Sequence, residues 1–213
     1  MNFGNIMIFG DSYSTYEGYI PAGYAVYYSG KRTSPPDVSD AKKTWWGRLM
    51  EKTGATLVQN NSWSGSTLCY TGWNGIDASH SSSFIYRFEK LLKDGFFKEN
   101  KIDTLFVFGG TNDSWSNAPL GDNKTEGIEE KDLFCVLPAI AHFARRLKEE
   151  LVDTRIVFLG NCDIKEDLTD AFKAAAERNM LDYVQLKGID KVNGHPTELG
   201  MEQICDQIIK SLS

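Results

Sequence analysis

Short apolar runs alternate with stretches of helical periodicity along the whole chain, and this alternation restricts the fold more than any other feature. Ile6–Phe9, Thr56–Gln59, Thr104–Phe108, Arg155–Leu159 and Asp182–Leu186 read as strands. They are short and mostly rich in β-branched and aromatic residues. Several are nearly all apolar, as strands covered on both faces should be. Helical periods fall between them at Trp45–Thr53, Phe84–Lys93, Lys131–Leu151, Lys165–Asn179 and Thr197–Leu212. In the third, Leu133, Val136, Leu137, Ile140, Ala144, Leu147 and Leu151 form one apolar stripe. Alternating β and α elements predict a parallel sheet with right-handed crossovers and helices on both faces. The expected fold is an α/β, three-layer α/β/α sandwich around a five-stranded parallel sheet, of flavodoxin-like type.

The 213 residues suit one such domain, 1–213, and no repeat, low-complexity tract or linker divides them. Two stretches fit neither period: a Tyr-rich loop at about 13–44, and Ser114–Glu130. Loops this long in a compact domain are usually functional or disordered. The formal charge of −6, with no basic arm, argues against a nucleic-acid partner. The apolar run at Ile6–Phe9 is too short, and lacks the basic flank, for a signal peptide or a membrane span. No membrane partner is therefore expected. A cytoplasmic location follows on that reading, with secretion after leader removal as the alternative. Cys69, Cys135, Cys162 and Cys205 form no CxxC or Cys/His pattern, so reduced thiols and no metal site are expected. Gly109-Gly110-Thr111 belongs to neither a Walker A loop nor a Gly-x-Gly-x-x-Gly fingerprint, and no cofactor is expected. Oligomeric state is left open.

In an open α/β sheet, ligands bind beyond the carboxyl ends of the strands, so the residues after each strand are the informative ones. Gly10-Asp11-Ser12-Tyr13-Ser14 follows the first, and Asn60-Asn61-Ser62-Trp63-Ser64-Gly65-Ser66 follows the second. Gly109-Gly110-Thr111-Asn112-Asp113 follows the third, and Asn193-Gly194-His195-Pro196-Thr197 the fifth. These loops offer what acyl transfer needs. A serine hydroxyl becomes nucleophilic when an imidazole takes its proton. The developing oxyanion needs preorganised donors, which the Ser12 and Gly65 amides and the Asn112 side chain can supply. Each residue alone has a plainer explanation. Ser12 can cap a helix, His195 can simply precede one, and Asn112-Asp113 can form an Asx turn. Of the three histidines, His142 sits in a helical stripe and His80 in a Ser-rich loop, which leaves His195 at the right edge.

Four such blocks in order, each after a strand, resemble the SGNH (GDSL-type) esterase/lipase family. Gly10-Asp11-Ser12 is similar to its first block, Asn60 to Gly65 to its second, Gly110-Thr111-Asn112-Asp113 to its third and His195-Pro196 to its last. The resemblance spans nearly the whole chain. It implies Ser12 as nucleophile, His195 as base, and an oxyanion hole of Ser12, Gly65 and Asn112. The family usually carries an Asp three residues before the histidine, where this chain has Val192. Asp190 is the nearest acidic side chain and the expected third member. The alternative is a backbone carbonyl on Nδ1 and a Ser–His dyad.

The aromatic residues bear on the substrate. Tyr13, Tyr16, Tyr19, Tyr24, Tyr27 and Tyr28 fall between the first strand and the first helix, while Trp63, Trp73 and Trp115 flank the second and third blocks. Tyr13, Trp63 and Trp115 are the expected substrate contacts, although aromatic rings also bury long loops efficiently. The expected function is a serine esterase that hydrolyses a short-chain or O-acetyl ester, with a small molecule or carbohydrate as the partner. A non-catalytic carbohydrate-binding or scaffold domain that retains the esterase shell is the alternative.

Overall fold

The structure, a computed structural model, describes residues 2–31 and 36–213. Residues 32–35 of the expected 13–44 loop lie outside the described residues. Five strands, β1 (Asn5–Gly10), β2 (Thr56–Ser62), β3 (Thr104–Phe108), β4 (Arg155–Gly160) and β5 (Asp182–Gln185), form one sheet in the order β2-β1-β3-β4-β5. Every pair is parallel. From β1 the chain moves outward one way to β2, then the other way through β3, β4 and β5. The carboxyl end of β1 is thus the switch point where ligands collect in such sheets.

The helices are α1 (Trp45–Thr53), α2 (Phe84–Lys93), α3 (Phe96–Glu99), α4 (Thr111–Trp115), α5 (Val136–Glu150), α6 (Glu166–Asn179) and α7 (Glu198–Leu212). Strand side chains divide strictly by parity. Met7, Phe9, Leu105, Val107, Ile156 and Phe158 pack with Phe84, Phe88, Ile140, Phe143 and Phe172 of α2, α5 and α6. Ile6, Ile8, Phe106, Phe108, Val157 and Leu159 pack with Trp45, Leu49, Met201 and Ile204 of α1 and α7. Both faces are therefore covered, which is why these strands read as apolar runs. All four cysteines are free. Among the described residues, no helix is long and apolar enough to cross a membrane.

The helical period expected over Lys131–Leu151 is broken. A 3-10 turn, Glu130–Phe134, ends at extended Cys135, and α5 starts only at Val136. The cause is Pro138, which has no N–H for the Phe134 carbonyl and whose ring would clash with it in a continuous helix. In the first turn of α5 the same proline is tolerated. The released carbonyls are used elsewhere: Leu133 O accepts from Tyr70 N at 2.8 Å and Phe134 O from Thr71 Oγ1 at 2.7 Å. The break thereby anchors the loop after β2.

That loop has a second anchor in Arg87 of α2, which is buried with its guanidinium against the Phe9 and Phe84 rings, 4.6 Å from each centroid. Its N–H groups reach Ser82 O (2.9 Å), Asn61 Oδ1 (2.8 Å), Ser66 Oγ (3.2 Å) and Gly10 O (3.3 Å). The ends of β1 and β2 and the following loop thus share one cation. Replacing Arg87 by Leu strands these buried acceptors and is expected to lower the unfolding free energy by about 3 kcal/mol or more. Urea unfolding measures this, and a loss under about 1 kcal/mol would place the strand ends under other control.

Candidate active site

At the end of β1, the Asp11 carboxylate accepts from Tyr13 N at 3.0 Å and caps a 3-10 turn, Ser12–Ser14. Three side chains then fix Ser14. Its carbonyl accepts from Trp46 Nε1 (2.9 Å) and Asn60 Nδ2 (2.8 Å), and its hydroxyl from Trp45 Nε1 (3.1 Å). The first two residues of α1 and a buried asparagine of β2 therefore hold the turn that carries Ser12. Ser12 Oγ lies 3.0 Å from His195 Nε2.

His195 stands on a small hairpin of β6 (Lys191–Val192) and β7 (His195–Pro196). Asn193 and Gly194 join the strands with φ of 51° and 76°, the two positive values of a type I′ turn. A Cβ at Gly194 would also approach the Trp115 ring to 2.9 Å. Asn193 O lies 3.1 Å from His195 Nδ1. A carbonyl only accepts, so this contact puts the proton on Nδ1 and leaves Nε2 to accept from the Ser12 hydroxyl.

The expectation for Asp190 is corrected here. Its carboxylate accepts from the Thr197 hydroxyl, and its carbonyl accepts from Thr197 N at 3.1 Å. Thr197 is the N-cap of α7, so Asp190 braces the foot of the hairpin instead of the imidazole. Val192 sits directly opposite His195 in the hairpin register, and a cross-strand apolar side chain cannot replace the carboxylate. The contact that the structure shows at Nδ1 is the Asn193 carbonyl.

Tyrosines and a lysine fasten the hairpin. Tyr28 OH donates to Pro196 O at 2.8 Å, and Tyr13 OH donates to Gly194 O. Burial pushes Tyr13 up to about 12, which keeps its hydroxyl protonated as that donor requires. Lys191 Nζ meets Asn161 Oδ1 (3.1 Å), Cys162 O (3.2 Å) and Asp163 Oδ2 (3.2 Å) just beyond β4. The Tyr27 ring stacks on His195 with centroids 3.6 Å apart and planes 9° apart, and Trp115 meets the imidazole edge-on at 5.7 Å. Tyr27 N in turn donates to Thr15 Oγ1, whose hydroxyl donates to Ser12 O.

The expected substrate contacts divide. Tyr13 is wholly buried, because its hydroxyl is spent on the hairpin and its ring packs on Phe108. It is a support and not part of a rim. Trp115 is half-buried beside His195, and Trp63 is half-buried with its ring 4.2 Å from that of Tyr24.

The donor side is built from adjacent strand ends. Asn112 lies in α4, directly after β3, and its Nδ2 donates to Ser66 O at 3.0 Å while its Oδ1 accepts from Trp73 Nε1 at 3.2 Å. Asp113 turns away, and its carboxylate accepts from Leu68 N (2.8 Å) and Cys69 N (3.0 Å), which ties the second block to the third. Gly65 has φ of 82°, in the left-handed region a turn demands of glycine. Among the described residues, neither the Ser12 amide nor the Gly65 amide is consumed by a backbone partner in a turn or loop. Ser12, Gly65, Asn112 and His195 thus gather at one edge. Asn193, Tyr27, Trp73 and Arg87 also belong to this edge. The sequence offers Tyr27 and Trp73 only as members of the aromatic group near the blocks, and gives Asn193 and Arg87 no role, although Asn193 has a local signal in the Asn-Gly turn dipeptide.

Comparison with known proteins bears on the family and the fold. The GDSL-like Lipase/Acylhydrolase family model matches residues 4–212. A solved chain from Bacteroides ovatus, assigned as a GDSL-like lipase, is 38% identical with a TM-score of 0.90, covering 100% of this chain and 99% of that one. A Bacteroides uniformis chain assigned likewise is 35% identical, with a TM-score of 0.89 and coverage of 98% and 95%. A family two carbohydrate esterase from Clostridium thermocellum, in complex with cellohexaose, shares the fold at 13% identity and a TM-score of 0.63, with coverage of 98% and 63%. No curated protein matches the chain.

The Asp11 cap gives this edge a pH signature. Burial raises the Asp11 pKa from 3.8 to about 7. Between those values the folded chain keeps a proton that the unfolded chain has released, so this residue's contribution to stability falls as pH rises from about 4 to about 7. Asn at this position keeps the oxygen that caps Tyr13 N and does not ionise. The melting temperature of Asp11→Asn relative to the parent should climb across that window and level off above it. A pH-independent difference would refute the assignment.

Proposed function

Because this chain belongs to the GDSL-like lipase/acylhydrolase family, and so to a class of hydrolases that act on esters, we propose that it is a serine esterase working through a Ser12–His195 dyad. The observation that carries the reading is the 3.0 Å contact between Ser12 Oγ and His195 Nε2, with Nδ1 held by the Asn193 carbonyl. Ser12 Oγ attacks the ester carbonyl carbon as its proton passes to Nε2. The carbonyl π pair moves to oxygen, where the Ser12 and Gly65 amides and the Asn112 Nδ2–H stabilise it. Collapse expels the alcohol, which takes the proton from His195 and leaves an acyl-Ser12. Water, deprotonated by the same imidazole, attacks that ester, and the acid departs as the proton returns to Ser12.

The orienting group at Nδ1 is a neutral carbonyl, which stabilises an imidazolium there by its dipole and not by a full charge. Tyr27 adds to this, since a cation over a tyrosine face gains about 0.5–2 kcal/mol. For the substrate we propose a short-chain or O-acetyl ester, with a carbohydrate as its alcohol half. The half-buried Trp63 and Tyr24 pair beside the second block supports this reading as a platform for a sugar ring. The fold shared with a carbohydrate esterase is consistent with it.

Ser12→Ala should abolish hydrolysis of p-nitrophenyl acetate and labelling by a fluorophosphonate while the circular dichroism spectrum stays unchanged. Retained turnover would refute the nucleophile. In a serine triad, turning the orienting Asp into Asn costs about 10⁴ in kcat. Here Asp190→Asn should leave kcat near the parent value, and a loss of that order would restore the triad.

A further inference from the structure

We infer that Trp73 is a positioning residue of the oxyanion hole: its indole N–H sets the direction of the Asn112 amide. The inference rests on the reading above, in which Asn112 donates to the oxyanion.

The geometry of the amide is closed at both ends. Oδ1 accepts from Trp73 Nε1 at 3.2 Å, and Nδ2 donates to Ser66 O at 3.0 Å. An indole nitrogen only donates and a peptide carbonyl only accepts, so a flipped amide would oppose two donors at one end and two acceptors at the other. With one hydrogen on Ser66 O, the other Nδ2 hydrogen is left for the substrate. A hydrogen bond accepted at Oδ1 also polarises the amide toward stronger donation at Nδ2. The indole borders a second proposed donor as well, since a methyl group added at Gly65 would lie 4.0 Å from Trp73 Nε1.

Trp73 is 40% exposed, so burial alone does not hold it in place. Its loop does. Gly72 N donates to Ile76 O (2.7 Å), Ile76 N to Trp73 O (3.2 Å) and Ala78 N to Tyr70 O (2.7 Å), and Thr71 pairs with Asp77. The foot of the loop is fixed to the carbonyls released before α5, through Tyr70 N and Thr71 Oγ1. A surface tryptophan is thereby aimed inward by a chain of backbone bonds that ends at the Pro138 break.

Trp73→Phe keeps a ring at this position and deletes the donor. Its kcat for p-nitrophenyl acetate should fall about 3- to 10-fold, the equivalent of one net hydrogen bond, with KM near the parent value. Asn112→Ala should cost on the order of 10²–10³ in kcat. In that background Trp73→Phe should change nothing further, because its target is gone. A merely structural or substrate-contacting tryptophan would give multiplicative losses in the double variant, and that result overturns the inference. It is overturned equally if Trp73→Phe alone leaves kcat unchanged or alters KM only. If Asn112→Ala itself leaves kcat unchanged, the oxyanion role of Asn112 is what fails, and the inference falls with it. Equal thermal midpoints for the variants confirm that folding does not contribute.

Discussion

A guanidinium taken out of water must find acceptors for its N–H groups, and the arrangement around Arg87 is the solution this chain adopts. Burying an unpaired cation is far too costly for a protein of ordinary stability. The carbonyls and side chains that meet it, from Gly10, Asn61, Ser66 and Ser82, come from three separate stretches of chain. Each is therefore tied to the same point, and two of them flank residues of the proposed site. Gly10 is two positions before Ser12, and Ser66 carries the carbonyl that anchors Asn112. The aromatic rings that meet the guanidinium, Phe9 and Phe84, belong to the core itself. The position of the donor loop is thus set by the same packing that stabilises the sheet.

His195 is held by different means. Its hairpin has only two residues on each side of the turn, too few for a ladder to stabilise alone. Tyrosine hydroxyls from the 13–28 stretch and the Lys191 ammonium provide what the ladder does not. Much of the tyrosine enrichment after β1 therefore serves to aim His195. The turn that presents the imidazole also presents the carbonyl that meets its Nδ1. Asp190 is spent one step further out, at the N-cap of α7.

Much of this was legible in the chain. The bounds of β3, α1 and α2 match their periodic stretches residue for residue, because burial on both sheet faces leaves an uninterrupted apolar signature. The four blocks at the strand ends were readable for the same reason, since the strands locate their own carboxyl ends. Where polar residues are buried, reading by hydropathy fell short. β2 extends through Asn60, Asn61 and Ser62: Asn60 serves Ser14, Asn61 serves Arg87, and the Ser62 hydroxyl donates to Asn60. The late start of α5 was written in Pro138 but masked by the apolar stripe around it. Distance along the chain points to Asp190, whereas a two-residue turn governs what faces the imidazole. The Trp73 contact pairs residues 39 positions apart and has no local trace.

The contact between Ser12 and His195 joins positions 183 residues apart. Strands β2 to β5 all lie between them in the chain. On the proposed reading, the serine meets its base across the whole sheet, so esterase activity would report on completion of the fold.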